Sequence, residues 1–217
     1  MPDPIIIAID GPSASGKGTI ARRLAAHLGF AHLDTGLLYR AVGLAVVRAG
    51  GDLSDPVLAE KAALALDVSQ LNDPALREDE AAVAASKVAA MPTVRAALLR
   101  FQKDFCATPP DGKAGAVLDG RDIGTVIAPE AVVKIYVTAS AETRAERRFK
   151  ELQGRGENVS YDDVLKDMQE RDARDAARTT APLKPAPDAI MLDTTCMSAE
   201  EAFECSLNIV KMTVTTL

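Results

Sequence analysis

Short apolar runs alternate along the chain with longer stretches in which apolar residues recur every three or four positions. Pro4–Asp10, Gly115–Gly120, Val132–Ala139 and Ala189–Thr194 are runs of the first kind, with Phe30–Asp34 a weaker fifth. Lengths of this order without polar alternation predict strands buried on both faces. Helical spacing covers Gly18–Leu28, Thr35–Ala49, Thr93–Cys106, Ala141–Leu152, Tyr161–Ala177 and Ala199–Lys211. Strand and helix in alternation predict an α/β fold, a parallel sheet covered by helices.

Two stretches break the rhythm. Asp52–Met91 holds only helical or loop patterns, and Gln153–Ser160, "QGRGENVS", is a polar glycine-containing loop between two arginine-rich helices. Both read as excursions from the sheet. In an α/β protein that handles phosphate, such excursions are where a substrate-binding region and a lid are expected.

The expectation of phosphate chemistry comes from "AIDGPSASGKGT". Gly11, Pro12, Ser13, Ala14, Ser15, Gly16 and Lys17 fit G-x-x-x-x-G-K, between a predicted strand and a predicted helix, which is the context the motif requires. Glycines let backbone N–H groups converge on phosphate oxygens, the helix start adds its positive dipole end, and Lys17 adds a point charge. The Ser or Thr that ordinarily follows the lysine and ligates Mg²⁺ is replaced by Gly18, with a hydroxyl one place later at Thr19. Magnesium is therefore expected on phosphate oxygens and waters, with no direct protein ligand. Asp119, at the end of "AVLDG", is a candidate to orient those waters or, alternatively, a strand-end turn residue.

Charge sharpens the picture. The chain carries a formal net charge of −6, which argues against a surface that wraps nucleic acid, and its 4% aromatic content argues against a stacking platform for single strands. Against that acidic background seven arginines fall between Arg144 and Arg178. Arg144, Arg147 and Arg148 share one helical face, and Arg171, Arg174 and Arg178 share another. Such faces suit a lid that closes over transferring phosphates, because planar guanidinium groups grip phosphate oxygens bidentately. A solvated face stitched by pairs such as Asp167–Arg171 and Arg171–Asp175 is the alternative. Cys106, Cys196 and Cys205 form no C-x-x-C pair and are expected as buried or inert thiols; His27 is expected to pack or lie on a helix surface. The Ile5–Ile9 run is too short for a signal peptide or a membrane span, so a cytoplasmic protein with no membrane partner is expected.

At the level of whole motifs the chain resembles the bacterial cytidylate (CMP) kinases of the nucleoside monophosphate kinase group. The resemblance runs nearly end to end and rests on "IAIDGPSASGKGT", "LDTGLLYRA", "AASKVAAMPTVRAALLRFQ", "LDGRDIGTVI", "KIYVTASAETRAERR" and "ERDARDAARTTAPLKPAPDAIMLDTT". It implies a P-loop core of five parallel strands, a single domain over 1–217 with a monophosphate-binding region at about 35–107 and a lid at about 147–171. It also implies transfer of the γ-phosphate of Mg–ATP to CMP or dCMP; separately, a monomer is expected.

By the same resemblance, Gly11 to Thr19 hold ATP and Arg147 is the lid arginine near its base and phosphates. Arg40, Arg121 and Arg178 clamp the acceptor phosphate, while Arg171 and Asp175 contact ribose and phosphate. Ser86, Arg95 and Asp122 read the cytosine edge, with Thr35 nearby. Lys17, Arg121, Arg178 and Asp119 are the expected catalytic group. The base-reading roles suit cytosine: a carboxylate accepts from its N4 amino group and repels the O4 of uracil. The segment Ser69–Val83 departs from the family, which commonly carries a small antiparallel sheet there, and Thr35 stands where a serine is common.

Two rivals stay open on the residues alone. A kinase of a small metabolite such as shikimate or gluconate would share the fold, but it normally keeps Ser or Thr after the loop lysine. A nucleotide-dependent switch would bind one nucleotide, and the chain has no N-K-x-D element to read guanine.

Overall fold

A computed structural model describes residues 3–214, so the two ends of the expected 1–217 domain lie outside the described residues. Five strands form one parallel sheet: β1 (Ile5–Asp10), β2 (Ala31–Asp34), β3 (Gly115–Gly120), β4 (Val133–Thr138) and β5 (Ile190–Asp193), in the order β2-β3-β1-β4-β5. β1 pairs in parallel with β3 through Ile5↔Gly115 to Asp10↔Gly120, and with β4 through Ile7↔Val133 to Asp10↔Tyr136. The central strands are buried on both faces because helices cover both.

The helices are α1 (Lys17–Leu28), α2 (Thr35–Arg48), α3 (Pro56–Leu64), α4 (Asp79–Val88), α5 (Pro92–Ala107), α6 (Ala141–Gly154), α7 (Tyr161–Ala176) and α8 (Ala199–Thr213). The chain divides into two compact units, one of residues 1–33 with 108–217 and one of residues 34–107.

In the first unit the core lies between the sheet and the pair α1 and α8, where Ile7, Ile9, Ile20, Leu24, Ile135, Phe203 and Val210 are all buried. His27 packs here, edge-on to Phe203 with ring centroids 5.9 Å apart. Burial of these side chains is worth roughly 1.5–3 kcal/mol each. α8 starts on a capping box in which Ser198 and Glu201 satisfy each other's backbone amides. α6 and α7 form a hairpin with an apolar cluster of its own, built on Ala145, Leu152, Val164 and Met168, and Phe149 meets Tyr161 edge-on. Ala14 of the glycine-rich loop packs against that cluster.

β2 and β4 alternate buried with half-buried positions, and β5 departs furthest from the expected burial on both faces. β5 has a single neighbour, β4, and Ile190 and Met191 are largely exposed, so only Leu192 is buried in this strand. An edge strand lacks the second neighbour and the full helical cover that bury β1 and β3.

The second unit is helical. Leu38, Val42, Val46, Val88, Val94 and Leu98 form its core. Gly43 lets α2 lie against α4: a Cβ there would stand 2.7 Å from the Cβ of Ala84 and 2.8 Å from its carbonyl carbon. Between α3 and α4 run two 3₁₀ turns, Val68–Asn72 and Pro74–Arg77, where a small sheet is common in the family the sequence resembles. Asp67 and Asp73 each accept a backbone N–H two residues ahead, so the aspartates head turns rather than pair strands.

Candidate active site

The glycine-rich loop closes β1 and opens α1. Gly11 has φ 154° and its α-carbon faces the carbonyl of Val137, leaving no room for a side chain. Ala14 holds φ 56° and Gly16, at the N-cap of α1, φ 91°. A non-glycine residue in the left-handed region costs on the order of 1 kcal/mol, and Ala14 holds this conformation at the cluster between α6 and α7. Gly16 has no side chain to cap α1, so the positive end of that helix is left uncovered by a cap, while the Thr19 N–H turns back to the Gly16 carbonyl at 3.1 Å. Lys17 Nζ donates to the Pro12 carbonyl at 3.1 Å, folding its charge across the loop. Ser15 is fully buried, and its Oγ has no partner among the described residues, as fits a hydroxyl that awaits an anion.

Beside the loop lies a cavity of about 280 Å³, lined among others by Ser15, Gly16, Thr19, Arg147, Thr194 and Met197. Thr194 is its junction. Its Oγ1 lies 3.0 Å from the Ser15 carbonyl, and Arg147 donates to that Oγ1 at 3.1 Å and to the Thr194 carbonyl at 2.6 Å. The sequence reading named Arg147 for this side of the loop and missed Thr194, whose only signal was its place as the last residue of a predicted strand.

The three arginines expected on one face of α6 diverge. Arg147 reaches the cavity, whereas Arg148 pairs with Glu151 at 2.7 Å. Arg144 is buried and holds three elements together, donating to the carbonyls of Ala139 and Ser13 and meeting Asp172 Oδ2 at 2.7 Å. Spacing put Arg144 on the helix face, but packing against α7 turned that face inward. All three cysteines are free; Cys196 is exposed in the loop after β5, while Cys106 and Cys205 are half-buried.

At the carboxyl end of β3, Asp119 is 3% exposed, and His32 Nε2 of the neighbouring strand β2 lies 2.9 Å from its Oδ1. Its Oδ2 lies 3.4 Å from where a Cβ on Gly18 would stand. A buried carboxylate thus faces the first turn of α1 where a longer side chain is absent. With one buried carboxylate and, among the described residues, no cluster of three metal-ligating side chains, this donor set fits a magnesium ion carried on phosphate oxygens and reached through water. Sequence reasoning did not single out His32, because its partner is 87 residues away.

Past β3 the chain enters a single π-type turn, Ile123–Ile127, headed by Asp122. Asp122 is 4% exposed, and its side chain does not cap that turn. Arg121 Nε donates to Asp175 Oδ2 at 3.0 Å, and Arg178 Nη2 donates to Asp175 Oδ1. Asp175 is 1% exposed. Burial alone would raise its pKa, but Arg121, Arg178 and Arg171 outweigh that and hold the carboxyl below its ordinary value. Three of the sequence-predicted site residues are thereby gathered into one cationic cluster, with Arg171 close enough to act on it.

In the second unit, Thr35 is the first residue of α2, directly after the N-cap Asp34. Arg40 donates to the Leu76 carbonyl at 2.8 Å. Ser86, on α4, and Arg95, on α5, are both buried, and the Arg95 guanidinium lies 5.3 Å from the ring centroid of Tyr39 and donates to the Ala89 carbonyl. A buried arginine over an aromatic face is a rigid donor, suited to reading a flat ligand edge.

Comparison with known proteins decides the lineage. A family model described as cytidylate kinase matches residues 7–212. The chain belongs to the cytidylate kinase family. A cytidylate kinase of Paramagnetospirillum magneticum is 63% identical over 205 residues, covering 94% of this chain and 97% of its own. One of Rhodospirillum rubrum is 60% identical over 205 residues, covering 94% and 96%. Among solved structures, a sugar kinase from Janibacter sp. HTCC2649 matches with a TM-score of 0.51 at 15% identity, covering 96% of this chain and 95% of that one. At that identity the likeness shows the fold alone. The metabolite-kinase rival rested on fold, so the high identity to cytidylate kinases sets it aside.

Proposed function

We infer that this cytidylate kinase family member transfers the γ-phosphate of ATP to CMP, and to dCMP, giving the diphosphate. The observation that carries the reading is the Arg121–Asp175–Arg178 cluster, which stands in the same unit as the glycine-rich loop. One anion cradle serves a donor nucleotide; a second cationic cluster calls for a second phosphate. A one-nucleotide switch has no use for it.

In this reading Gly11 to Thr19 hold the ATP phosphates, Lys17 neutralises charge on the β- and γ-phosphates, and Arg147 serves the base side in the cavity beside Thr194. Arg121 and Arg178 grip the acceptor phosphate together with Arg40, and Asp175 fixes the orientation of both guanidinium groups while serving the ribose with Arg171. Ser86, Arg95 and Asp122 read the base, with Thr35 close by in sequence to Arg40. Magnesium, when bound with ATP, draws charge from the phosphates being transferred, and Asp119 orients its water. No general base is required, because the acceptor phosphate is already an anionic nucleophile; what remains for the chain is alignment and neutralisation of charge. We place this activity in the cytoplasm with a monomeric protein and a lid at about 147–171.

The test is a coupled ADP-release assay with ATP and a panel of acceptors. CMP and dCMP are expected to lead, UMP to trail, and AMP and shikimate to give near-blank rates. Equal turnover of AMP and CMP would sink the acceptor assignment.

A further inference from the structure

Asp10 ends β1 and is the residue immediately before Gly11 of the phosphate loop. Its side chain turns away from that loop. Oδ1 accepts the backbone N–H of Ile123 at 2.8 Å and Oδ2 accepts that of Gly124 at 2.8 Å. These are the first two amides of the π-type turn that Asp122 heads and that Arg121 leads into. The turn gets no cap from Asp122, so the carboxylate that satisfies its leading amides comes from a different strand, 113 residues earlier in the chain.

Holding a charge there is expensive. Asp10 is 4% exposed, and burial pushes its carboxyl up to about 6, with the amides of Gly124 and Ile123 offsetting only part of that. Asp122 pushes it further up, Arg121 pulls it down, and Tyr136 on β4 is the other ionisable group that feels it. An apolar or amide side chain would escape the cost of burying a charge, but would leave one or both of these amides without an acceptor. The one thing a carboxylate does that an amide cannot is accept with both of its arms.

We propose that Asp10 is a positioning residue for the acceptor nucleotide, its two carboxylate oxygens fixing the turn that carries Arg121 and Asp122 against the strand that opens the phosphate loop. The inference rests on the reading of Arg121 and Asp122 as acceptor-binding residues and deepens it. Asp10→Asn, equal in shape, keeps one accepting oxygen and points an NH₂ group at the other amide, so one of the two anchors becomes a donor–donor contact. The turn then tilts and takes both side chains with it.

The experiment has two readouts. Amide proton shifts of Ile123 and Gly124 in the ligand-free protein, followed from pH 5 to 8, are expected to titrate together with a midpoint near 6, and to lose that titration in Asp10→Asn. At pH 8 the same variant is expected to raise the KM for CMP by about tenfold and lower the CMP-to-UMP ratio of kcat/KM. Its KM for ATP should stay within about twofold, while its Tm falls by several degrees through the buried donor–donor contact. A purely structural Asp10 would move the constants for CMP and ATP in parallel, which would overturn the proposal, as would Ile123 and Gly124 amide shifts at pH 8 that are the same in Asp10→Asn as in the parent. Normal CMP kinetics in Asp10→Asn, with Arg121→Ala and Asp122→Ala impaired, would overturn the proposal while the acceptor reading stands. Normal CMP kinetics in Arg121→Ala and Asp122→Ala would remove the acceptor reading and this proposal with it.

Discussion

Asp175 accepts a hydrogen bond from Arg121 across 54 residues of chain, at 3.0 Å. The same carboxylate takes Arg178 on its other oxygen. A buried acid shared by two arginines keeps both guanidinium groups from folding onto separate partners, which is the preorganisation a phosphate clamp needs.

Removing either arginine should therefore act on rate and on stability together. Arg121→Ala and Arg178→Ala are each expected to lower kcat by about 10² or more, since arginine contacts to a transferring phosphoryl group are worth up to about 10³–10⁵. Each also leaves a buried carboxylate short of a partner, at a cost of roughly 1–3 kcal/mol. Steady-state kinetics beside urea melts measure both. Unchanged kcat with a lowered melting point would reduce the pair to a structural role.

Lys17→Ala should nearly abolish turnover while leaving the melting curve within about 0.5 kcal/mol of the parent. The amine is half-buried and donates to a loop carbonyl a few residues away, so the fold is expected to lose little, whereas the β- and γ-phosphates lose their point charge. Residual turnover within tenfold of the parent would contradict the loop's assignment.

Asp122→Ala tests how the base is read. Losing a hydrogen bond to a charged acceptor should weaken the CMP transition state by about 1.5–3 kcal/mol. UMP never made that bond, so the CMP-to-UMP ratio of kcat/KM should fall at least about tenfold, or about 1.4 kcal/mol. A preserved ratio, at any absolute rate, would show that Asp122 does not touch the base.

The pH dependence of stability carries a signature of Asp175. Its carboxyl sits below the ordinary value of 3.8 in the folded state, so its stabilising contribution is present above that value and is lost as pH falls through the lower folded one. The stability difference between the parent and Asp175→Asn is expected to be flat from pH 5 to 8 and to shrink below about pH 4. A difference that instead shrank between pH 8 and 5 would mean the carboxyl is held high, not low.

Hydrogen exchange across Arg147–Arg171 should slow when CMP and a non-hydrolysable ATP analogue bind together. The hairpin of α6 and α7 carries an apolar cluster that also takes in Ala14 of the glycine-rich loop, and the segment from Gly154 to Ser160 is polar and mostly exposed. Identical exchange with and without both nucleotides would remove the lid.

Most of the sheet was legible because buried parallel strands leave unbroken apolar runs, and Gly115–Gly120 came out residue for residue. β5 read as buried for the same reason, yet Ile190 and Met191 lie at an edge; hydropathy does not encode how many neighbours a strand has. The phosphate loop was legible because its chemistry is local, seven residues that must be contiguous. Arg144 was misplaced because helical spacing says which residues share a face and not where that face points. Asp10 and His32 escaped for a different reason. Each works through a partner that lies far off in the chain, 113 and 87 residues away, and only the pairing of β1 and β2 with β3 brings those partners near. A lone charge closing an otherwise apolar strand, as in "IIIAID", was the one local hint.

The crossing of α2 and α4 at Gly43 has a consequence for heredity. α2 carries Arg40 and α4 carries Ser86, so whatever spreads these helices separates two residues proposed for the acceptor site within their unit. Gly43→Ala brings a methyl group against Ala84, and shrinking Ala84 to glycine removes only one of the atoms in the way. Its carbonyl carbon at 2.8 Å and the Ala85 nitrogen at 3.0 Å belong to the backbone and stay. A selection for second-site revertants of Gly43→Ala should hence return glycine at 43 or changes elsewhere on the helices, and never a lone Ala84→Gly: at this crossing the lineage can retrace its step but cannot trade one small residue for another.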